Sequence, residues 1–449
     1  MPDGRSPAAE KWVAAGVFAA MFLVYNANGR EIGSYDSRPT ALAARELLVR
    51  GTLRLDQPVA VTPEYATRWG FIRDRVGHFR SIYSPVPALI GAAIAWPAWK
   101  TGLIDVQAPL GPPLLAKIAA SSCVALAVAV AYLTARRKLS RGLALLTAAG
   151  LGLGTGYWSS ASQTLWQSET AALGLSFAVF LIAAGPARHE LLRGAAIGAA
   201  LALAATARPQ LAPTIVVLLI GLAWRRSASA VIASSVVAIA LGALMVVNVR
   251  WFGHPMGALP LLTQVNAEIH ATGSTFALWS DGYLGLLISP SRGLIVFSPI
   301  VLVAFAGIAA AVRRGPRSSE LWCLLAAAAQ FVLYGSYSVW WGGHTFGPRY
   351  MLDVLPLLVP PAALALSRLR SPAWGGLAAL ALAWSIVVAA TGAFCYPNDA
   401  WNTNPTDVDR DHGRLWSVSD SQIERCWKAG PSPQNFRLMN RLAFRQAER

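Results

Sequence analysis

The sequence predicts an all-α polytopic membrane protein with about eleven transmembrane helices. Three observations predict it. Only 13% of the 449 residues are charged and 55% are hydrophobic, whereas soluble domains carry about 25% charged residues. Apolar runs near the roughly 20 residues that cross a bilayer recur along the chain. The basic residues gather in short segments between those runs, and one orientation puts all these segments on the same side, as the positive-inside rule requires. That pattern accounts for the net charge of +16. No basic–aromatic interleaving accompanies it, and nucleic acid is rejected as a partner.

The first helix is expected over 12–28. Its apolar run ends in Tyr25-Asn26-Ala27-Asn28 rather than in a small-residue cleavage site, so it reads as a retained signal anchor with its N-terminus in the cytoplasm. An external segment, 29–113, follows. Helices are then expected at 114–134, 142–157, 169–184, 194–207, 211–224, 229–249, 294–311, 320–338, 351–367 and 374–393. This path leaves five basic loops inside: "RRKLSR" (136–141), Arg188 with Arg193, Arg225 with Arg226, "RRGPR" (313–317), and Arg368 with Arg370. At "ATARPQLAP" (205–213), Pro209 removes a backbone donor and clashes with the preceding turn. Two short helices therefore flank an external turn there, and their length implies tilting.

Residues 1–393 form the predicted bundle, and 394–449 a polar, Trp-containing external segment. Cys123 and Cys323 fall in apolar helices as small buried residues. Cys395 and Cys426 fall in the external tail, where an oxidising compartment permits a disulfide, and we expect that bridge. No Cys/His spacing resembles a zinc site. Arginine greatly outnumbers lysine and Ala and Gly are abundant, which points to a GC-rich bacterial source and a cytoplasmic (inner) membrane.

The stretch "GSYDSRPTALAARELLVRG" (33–51) follows the first helix. On its own, Asp36 or Ser37 reads as the cap of a helix with Pro39 in its first turn. Gly51 would end it, Glu46 and Arg50 would pair at i,i+4, and Leu42, Ala43 and Leu47 would lie on the membrane surface. The series from Asp36 through Ala44-Arg45-Glu46-Leu47-Leu48 to Gly51 also resembles the first external loop of the GT-C superfamily of glycosyltransferases. The pattern is most similar to lipid A aminoarabinose transferases and, more loosely, to protein O-mannosyltransferases. It departs at Ser37, where those relatives usually carry a second acidic residue. "IYSPVPALIGAAIAWPAW" (82–99) is similar to their juxtamembrane element, with Ser84 for a proline. "QTLWQSETAAL" (163–173), "GLLISPSRGLIVFSPIVL" (285–302) and "WWGGHTFGPRYMLDVLPLL" (340–358) follow in the order seen in that group. The resemblance implies a GT-C fold with juxtamembrane helices, a polyprenyl-phosphate sugar donor, inversion at the anomeric carbon, and Asp36 as general base.

Such a transfer needs a base for the acceptor hydroxyl and cations for the phosphate leaving group. Asp36 is the candidate base, with Glu169 assisting it or holding the acceptor. Glu169 otherwise reads as a charge at a helix N-terminus. Arg349, Arg292 and Arg208 are candidate phosphate ligands, because guanidinium forks match phosphate oxygens. The bland alternatives are snorkelling for Arg349 and covering of backbone carbonyls at the 205–213 break for Arg208. His344, Asp281 and Tyr83 are candidate sugar or acceptor contacts. Trp340 and Trp341 read most simply as an interfacial belt.

No cofactor is predicted. A divalent metal has no support from the carboxylate spacing, and no nucleotide-binding glycine motif is present. The expected partners are a polyprenyl-phosphate sugar, an extracytoplasmic glycan, lipid or protein acceptor, and membrane lipids. The alternative is a transporter or flippase for a lipid-linked glycan, against which stands the absence of a recognisable internal repeat.

Overall fold

The computed structural model describes residues 7–184, 189–260, 275–368, 371–438 and 440. Arg188, Arg370, stretch 261–274 of the long external segment and 441–449 of the tail lie outside the described residues. Among the described residues, seven helices are long and apolar enough to cross a membrane: Ala8–Asn26, Gly111–Ala135, Glu190–Ala207, Ser227–Phe252, Pro299–Arg317, Arg349–Leu366 and Pro372–Cys395. Four shorter apolar helices, Arg141–Leu153, Ser168–Ala183, Pro209–Arg225 and Ser319–Gly335, complete the series. Seven and four make eleven, so an apolar helix stands at each expected place. The protein is an all-α polytopic membrane protein.

Two of the expected helices differ in detail. The one expected over 142–157 ends at Leu153, and Tyr157–Ala161 forms a π turn instead. The one expected over 294–311 is broken into Leu294–Phe297, Pro299–Val301, Leu302–Phe305 and Ile308–Arg314. Pro299 has no N–H to continue the ladder, and Ser298 before it turns to φ −145°. Gly307 keeps the broken helix close to its neighbour, since a Cβ there would lie 2.3 Å from the Pro361 carbonyl oxygen. Gly198 does the same between Glu190–Ala207 and Ser227–Phe252, where an added Cβ would meet Ala233 Cα at 2.8 Å. Small residues at such contacts let membrane helices approach closely. The 205–213 break is as expected, with the helix stopping at Ala207 and resuming at Ala212.

The basic loops meet at one end of the bundle. Glu10 of the first helix accepts hydrogen bonds from Tyr132 and pairs with Arg136 (3.3 Å) and Arg141 (2.8 Å). Glu320 pairs with Lys138 and Arg314. Arg225 and Arg226 donate to the Ile182 and Ala184 carbonyls that end the Ser168–Ala183 helix, and Arg193 joins them at Ala184. Cations at helix C-termini complement the exposed carbonyls there.

The other end carries the long loops. Helix Arg38–Arg50 closes on Gly51 at φ +65°, a left-handed position that glycine adopts without strain. Glu46 pairs with both Arg45 and Arg50 at 2.7 Å. Leu42 and Ala43 do not lie on the membrane surface as expected. They are buried with Ala88 and Ala92 of helix Val86–Lys100 and with Leu115 and Ala119 of Gly111–Ala135. The loop is not wholly helical either. Phe71–Arg73 and Phe79–Ser81 pair as an antiparallel hairpin, with Ile72 opposite Arg80. Asp74 makes its turn, accepting the Val76 and His78 N–H groups and pairing with Arg80 at 2.7 Å. Burial alone would raise the Asp74 pKa, but Arg80 and the two backbone donors outweigh it and hold the carboxyl below its usual range.

The tail from 394 is woven across this same end. Ser289 donates to the Leu415 carbonyl (2.6 Å), and Trp341 donates to Asp409 (2.7 Å). The Phe436 N–H bonds to the Asn28 carbonyl at 2.8 Å.

Candidate active site

Asp36 stands between the first helix and Arg38–Arg50. It does not cap that helix. Ser37 occupies the cap position without a side-chain bond to the first turn, and its hydroxyl instead exchanges hydrogen bonds with the Ser34 backbone. The Asp36 carboxylate is left to reach across the chain, where it accepts from Arg349 Nη1 at 3.0 Å. Arg349 is held from two sides. Its guanidinium lies 4.7 Å over the Trp166 ring, and its backbone follows Gly347, whose N–H is fixed by Gln422 at 3.0 Å. Tyr83 completes the group. Its hydroxyl accepts from Trp69 Nε1 at 3.0 Å and lies beside the Asp36 carboxylate. Burial first, and then the Asp36 charge, raise the Tyr83 pKa, so this phenol remains a neutral donor.

A second Arg–Asp pair lies deeper. Arg208 Nε is 2.8 Å from Asp353 and 3.0 Å from the Tyr334 hydroxyl, and its Nη1 donates to Ser168 at 2.6 Å. Tyr334 also donates to Asp353 at 2.8 Å and stacks on Tyr350 with ring centroids 4.7 Å apart. Arg208 therefore has its charge balanced inside the protein, and neither open phosphate binding nor carbonyl covering describes it. Glu169, wholly buried, belongs on this side. Its charge faces Arg208, one oxygen is 3.4 Å from the Thr170 hydroxyl, and the other has no hydrogen-bond partner. Among the described residues no hydrogen bond or ion pair joins it to Asp36.

Arg292 is not a free phosphate ligand. Its guanidinium bonds the Trp341, Ser291 and Gly343 carbonyls and the side chains of Gln422 and Asn402, at 2.7 to 3.1 Å. Those five contacts take up the donor set of a guanidinium, and the residue is a strut between the tail and loop 340–350. His344 is likewise drawn to the tail, 3.0 Å from Asp407 and 3.5 Å from Asp409. These three side chains converge within 4.8 Å and could hold a cation; as they stand they clasp the tail to the loop. Among the described residues no hydrogen bond or ion pair joins Asp281 to Asp36, and the cleft it lines does not include Asp36. Asp281 lines this open cleft of about 560 Å³ with Thr275, Trp279, Ser280, Tyr283 and Ser338. Cys395 and Cys426 fall in one buried apolar cluster as free thiols rather than as the expected bridge.

Reading the sequence missed Asp353 and Lys117. Each is a lone ionisable residue in an apolar run, which is a signal of function or of a buried partner. Lys117 binds Asn28 (3.1 Å) and Gln163 (2.5 Å), tying the end of the first helix to the loop that carries Trp166.

No protein-family model and no curated protein matches the sequence. Solved structures do. ArnT from Cupriavidus metallidurans bound to undecaprenyl phosphate aligns over 94% of this chain and 76% of its own, with a TM-score of 0.50 and 17% identity. Its apo state aligns over 91% and 68%, with a TM-score of 0.50 and 18% identity. The archaeal oligosaccharyltransferase AglB from Archaeoglobus fulgidus, in complex with an inhibitory peptide and a dolichol-phosphate, aligns over 91% and 60%, at 0.46 and 13%. What this chain shares with the two ArnT structures is their fold.

Proposed function

We propose that this protein is a glycosyltransferase that moves a sugar from a polyprenyl-phosphate carrier to an acceptor hydroxyl outside the cytoplasmic membrane. The observation that carries this reading is the Asp36–Arg349 pair, a carboxylate and a guanidinium 3.0 Å apart and partly open to solvent, at 26% and 13% side-chain exposure. The ArnT structure aligned with this chain holds undecaprenyl phosphate, which supports a carrier of that class. The orientation follows from the basic end facing the cytoplasm, which leaves Asp36 and the tail outside.

In this reading the donor phosphate takes Arg349 from Asp36. Until then the carboxylate is engaged by its partner. Once released, it accepts the proton of the acceptor hydroxyl as that oxygen attacks the anomeric carbon from the face opposite the phosphate. The bond from C1 to the phosphate oxygen breaks with inversion, and Arg349 stabilises the charge that develops on the leaving phosphate. Tyr83 donates to the sugar or to the incoming oxygen. The cleft at Asp281, with its hydroxyls and the exposed Trp279 indole, offers an acceptor glycan both hydrogen bonds and a stacking face.

Mass spectrometry of polyprenyl-phosphate sugars, in cells carrying wild type or Asp36→Asn, tests the reading. Accumulation of one lipid-linked sugar in the mutant, with the protein still in the membrane, is the expected result. Unchanged donor pools and unaltered envelope glycans would remove Asp36 as base and favour a transporter.

A further inference from the structure

One peptide group ahead of Arg349 is gripped from two opposite parts of the chain. The peptide joining Phe346 to Gly347 is held at both of its polar atoms. The Ser160 hydroxyl donates to the Phe346 carbonyl at 3.1 Å, and the Gly347 N–H donates to Gln422 Oε1 at 3.0 Å. Ser160 stands on the π turn Tyr157–Ala161 of the bundle. Gln422 opens the tail helix Gln422–Ala429 and is wholly buried. Its backbone is fixed in turn: its N–H donates to the Ser291 hydroxyl at 3.2 Å, and Ser421 before it caps the helix by accepting from the Glu424 N–H. The side-chain amide is engaged at both ends. Nε2 donates to the Thr345 carbonyl at 2.8 Å, and Oε1 also accepts from Arg292 at 2.8 Å. Rotating it would break bonds on both sides.

From that peptide to Arg349 the backbone has little freedom. Gly347 stands at φ +72°, and a Cβ there would lie 2.7 Å from the Phe297 ring, so only glycine fits without strain. Pro348, with φ −83° and ψ 72°, makes an inverse γ-turn, closed by the Arg349 N–H on the Gly347 carbonyl at 3.0 Å. The proline ring fixes φ at this position. A swing of the Phe346–Gly347 peptide is therefore passed on to the Arg349 backbone. The guanidinium at the far end must still meet Asp36 at 3.0 Å and lie 4.7 Å over Trp166.

We propose that Gln422 and Ser160 are positioning residues for Arg349, and that the tail in this way sets the affinity of the site for the phosphate of the carrier. This rests on the reading of Arg349 as the phosphate ligand. Neither residue is asked to touch phosphate; each acts through the one peptide they share. What matters at position 422 is the acceptor oxygen. Gln422→Glu keeps an acceptor for the Gly347 N–H and for Arg292, and gives up only the donor to Thr345, whose carbonyl Asn402 also bonds at 3.3 Å. Gln422→Leu removes the acceptor at similar size, while the same Arg292 nitrogen keeps the Ser291 carbonyl at 2.8 Å.

The test uses the full-length protein in detergent, with undecaprenyl phosphate as the probe and Kd read by native mass spectrometry. Gln422→Leu should raise Kd about tenfold and Ser160→Ala about two- to tenfold, the range that one lost hydrogen bond spans. Gln422→Glu should recover most of the loss. Amide exchange at Gly347 should quicken in Gln422→Leu and stay slow in Gln422→Glu. In an Arg349→Ala background, Gln422→Leu should add nothing further, because the group it acts through is gone. A purely structural role would instead lower the thermal midpoint and leave Kd of the folded protein unchanged. Unchanged Kd in both Gln422→Leu and Ser160→Ala, with Arg349→Ala impaired, would overturn this inference alone. So would an equal loss from Gln422→Leu with and without Arg349. Wild-type affinity in Arg349→Ala would sink the phosphate-ligand reading and this inference with it. Ser160→Ala removes a single hydroxyl and keeps the test open if the tail variants fold poorly.

Discussion

Two arginine–aspartate pairs stand toward the end of the bundle that carries the long loops, and they are built differently. Arg208 and Asp353 lie 2.8 Å apart at 6% and 0% exposure, ringed by Tyr334, Tyr350 and Ser168. Asp36 and Arg349 are about as close, yet their exposures are 26% and 13%, and a single hydrogen bond joins the two side chains. The first pair has partners on several sides and no route to exchange them. The second is incomplete. An incoming phosphate can replace a carboxylate on Arg349 without stranding a buried charge, whereas the same exchange at Arg208 would leave Asp353 uncompensated. The contrast teaches that the residue type does not decide the role; what decides it is how many of the group's partners the protein has already supplied.

The largest effect should come from Asp36→Asn. Loss of a general base lowers turnover about 10²- to 10⁴-fold, and the thermal midpoint in detergent should stay where it was. A matching loss of folded protein would place this pair in the same class as the buried one. Asp353→Asn should do the reverse. Breaking one side of a buried pair costs about 3–5 kcal/mol, read as a fall in the unfolding midpoint, and the double change Arg208→Met with Asp353→Leu should recover much of it. If the single variant is as stable as wild type, the pair is not the strut described here.

Arg349→Lys sharpens the distinction further. It keeps the charge but loses the planar fork, so KM for the lipid-linked donor should rise about tenfold, the equivalent of 1.4 kcal/mol, with kcat nearly unchanged. A change confined to kcat would argue that Arg349 acts only on the leaving group in flight.

The smallest effect is expected at the Asp74 turn, which belongs to neither pair. The Asp74 carboxyl titrates below its ordinary 3.8 in the folded protein. Its contribution is therefore present at higher pH and lost as the pH falls from 3.8 through the lower folded value. Cleavage of the 71–81 hairpin by an acid-active protease should increase over that window, and Asp74→Asn should show no such dependence.

Much of the architecture was legible because membrane spans announce themselves by apolar length and basic flanks. The broken helix at 294–314 was less so, since Pro299 in an apolar run marks a kink or a break alike. The "FIRDRVGHFRS" hairpin had a turn signal in Asp74 and Gly77 that was available but was passed over among helical neighbours. The site was legible only in its ingredients. Asp36 looked like a helix cap because sequence displays local neighbours, while its actual partner is 313 residues away. Arg292 looked like a phosphate ligand because guanidinium fits phosphate and backbone carbonyls equally well, and its real acceptors Asn402 and Gln422 sit in a tail whose polar composition says only that it lies outside lipid.

The backbone contact of Asn28 and Gly29 with Phe436 and Leu438 has a consequence for how the molecule is made. Arg30 emerges from the ribosome 405 residues before the Asn435 that holds its guanidinium. At about 5–20 residues per second, that is a wait of roughly 20–80 s. During this interval the spans can enter the membrane one by one, but Arg30 lacks Asn435 and the 340–350 loop lacks Gln422 and Asn402. A chain that stopped after its last membrane helix would be inserted and still unfinished at the face where chemistry is proposed. The segment from 394, made after the bundle, thus completes the face that bears Asp36.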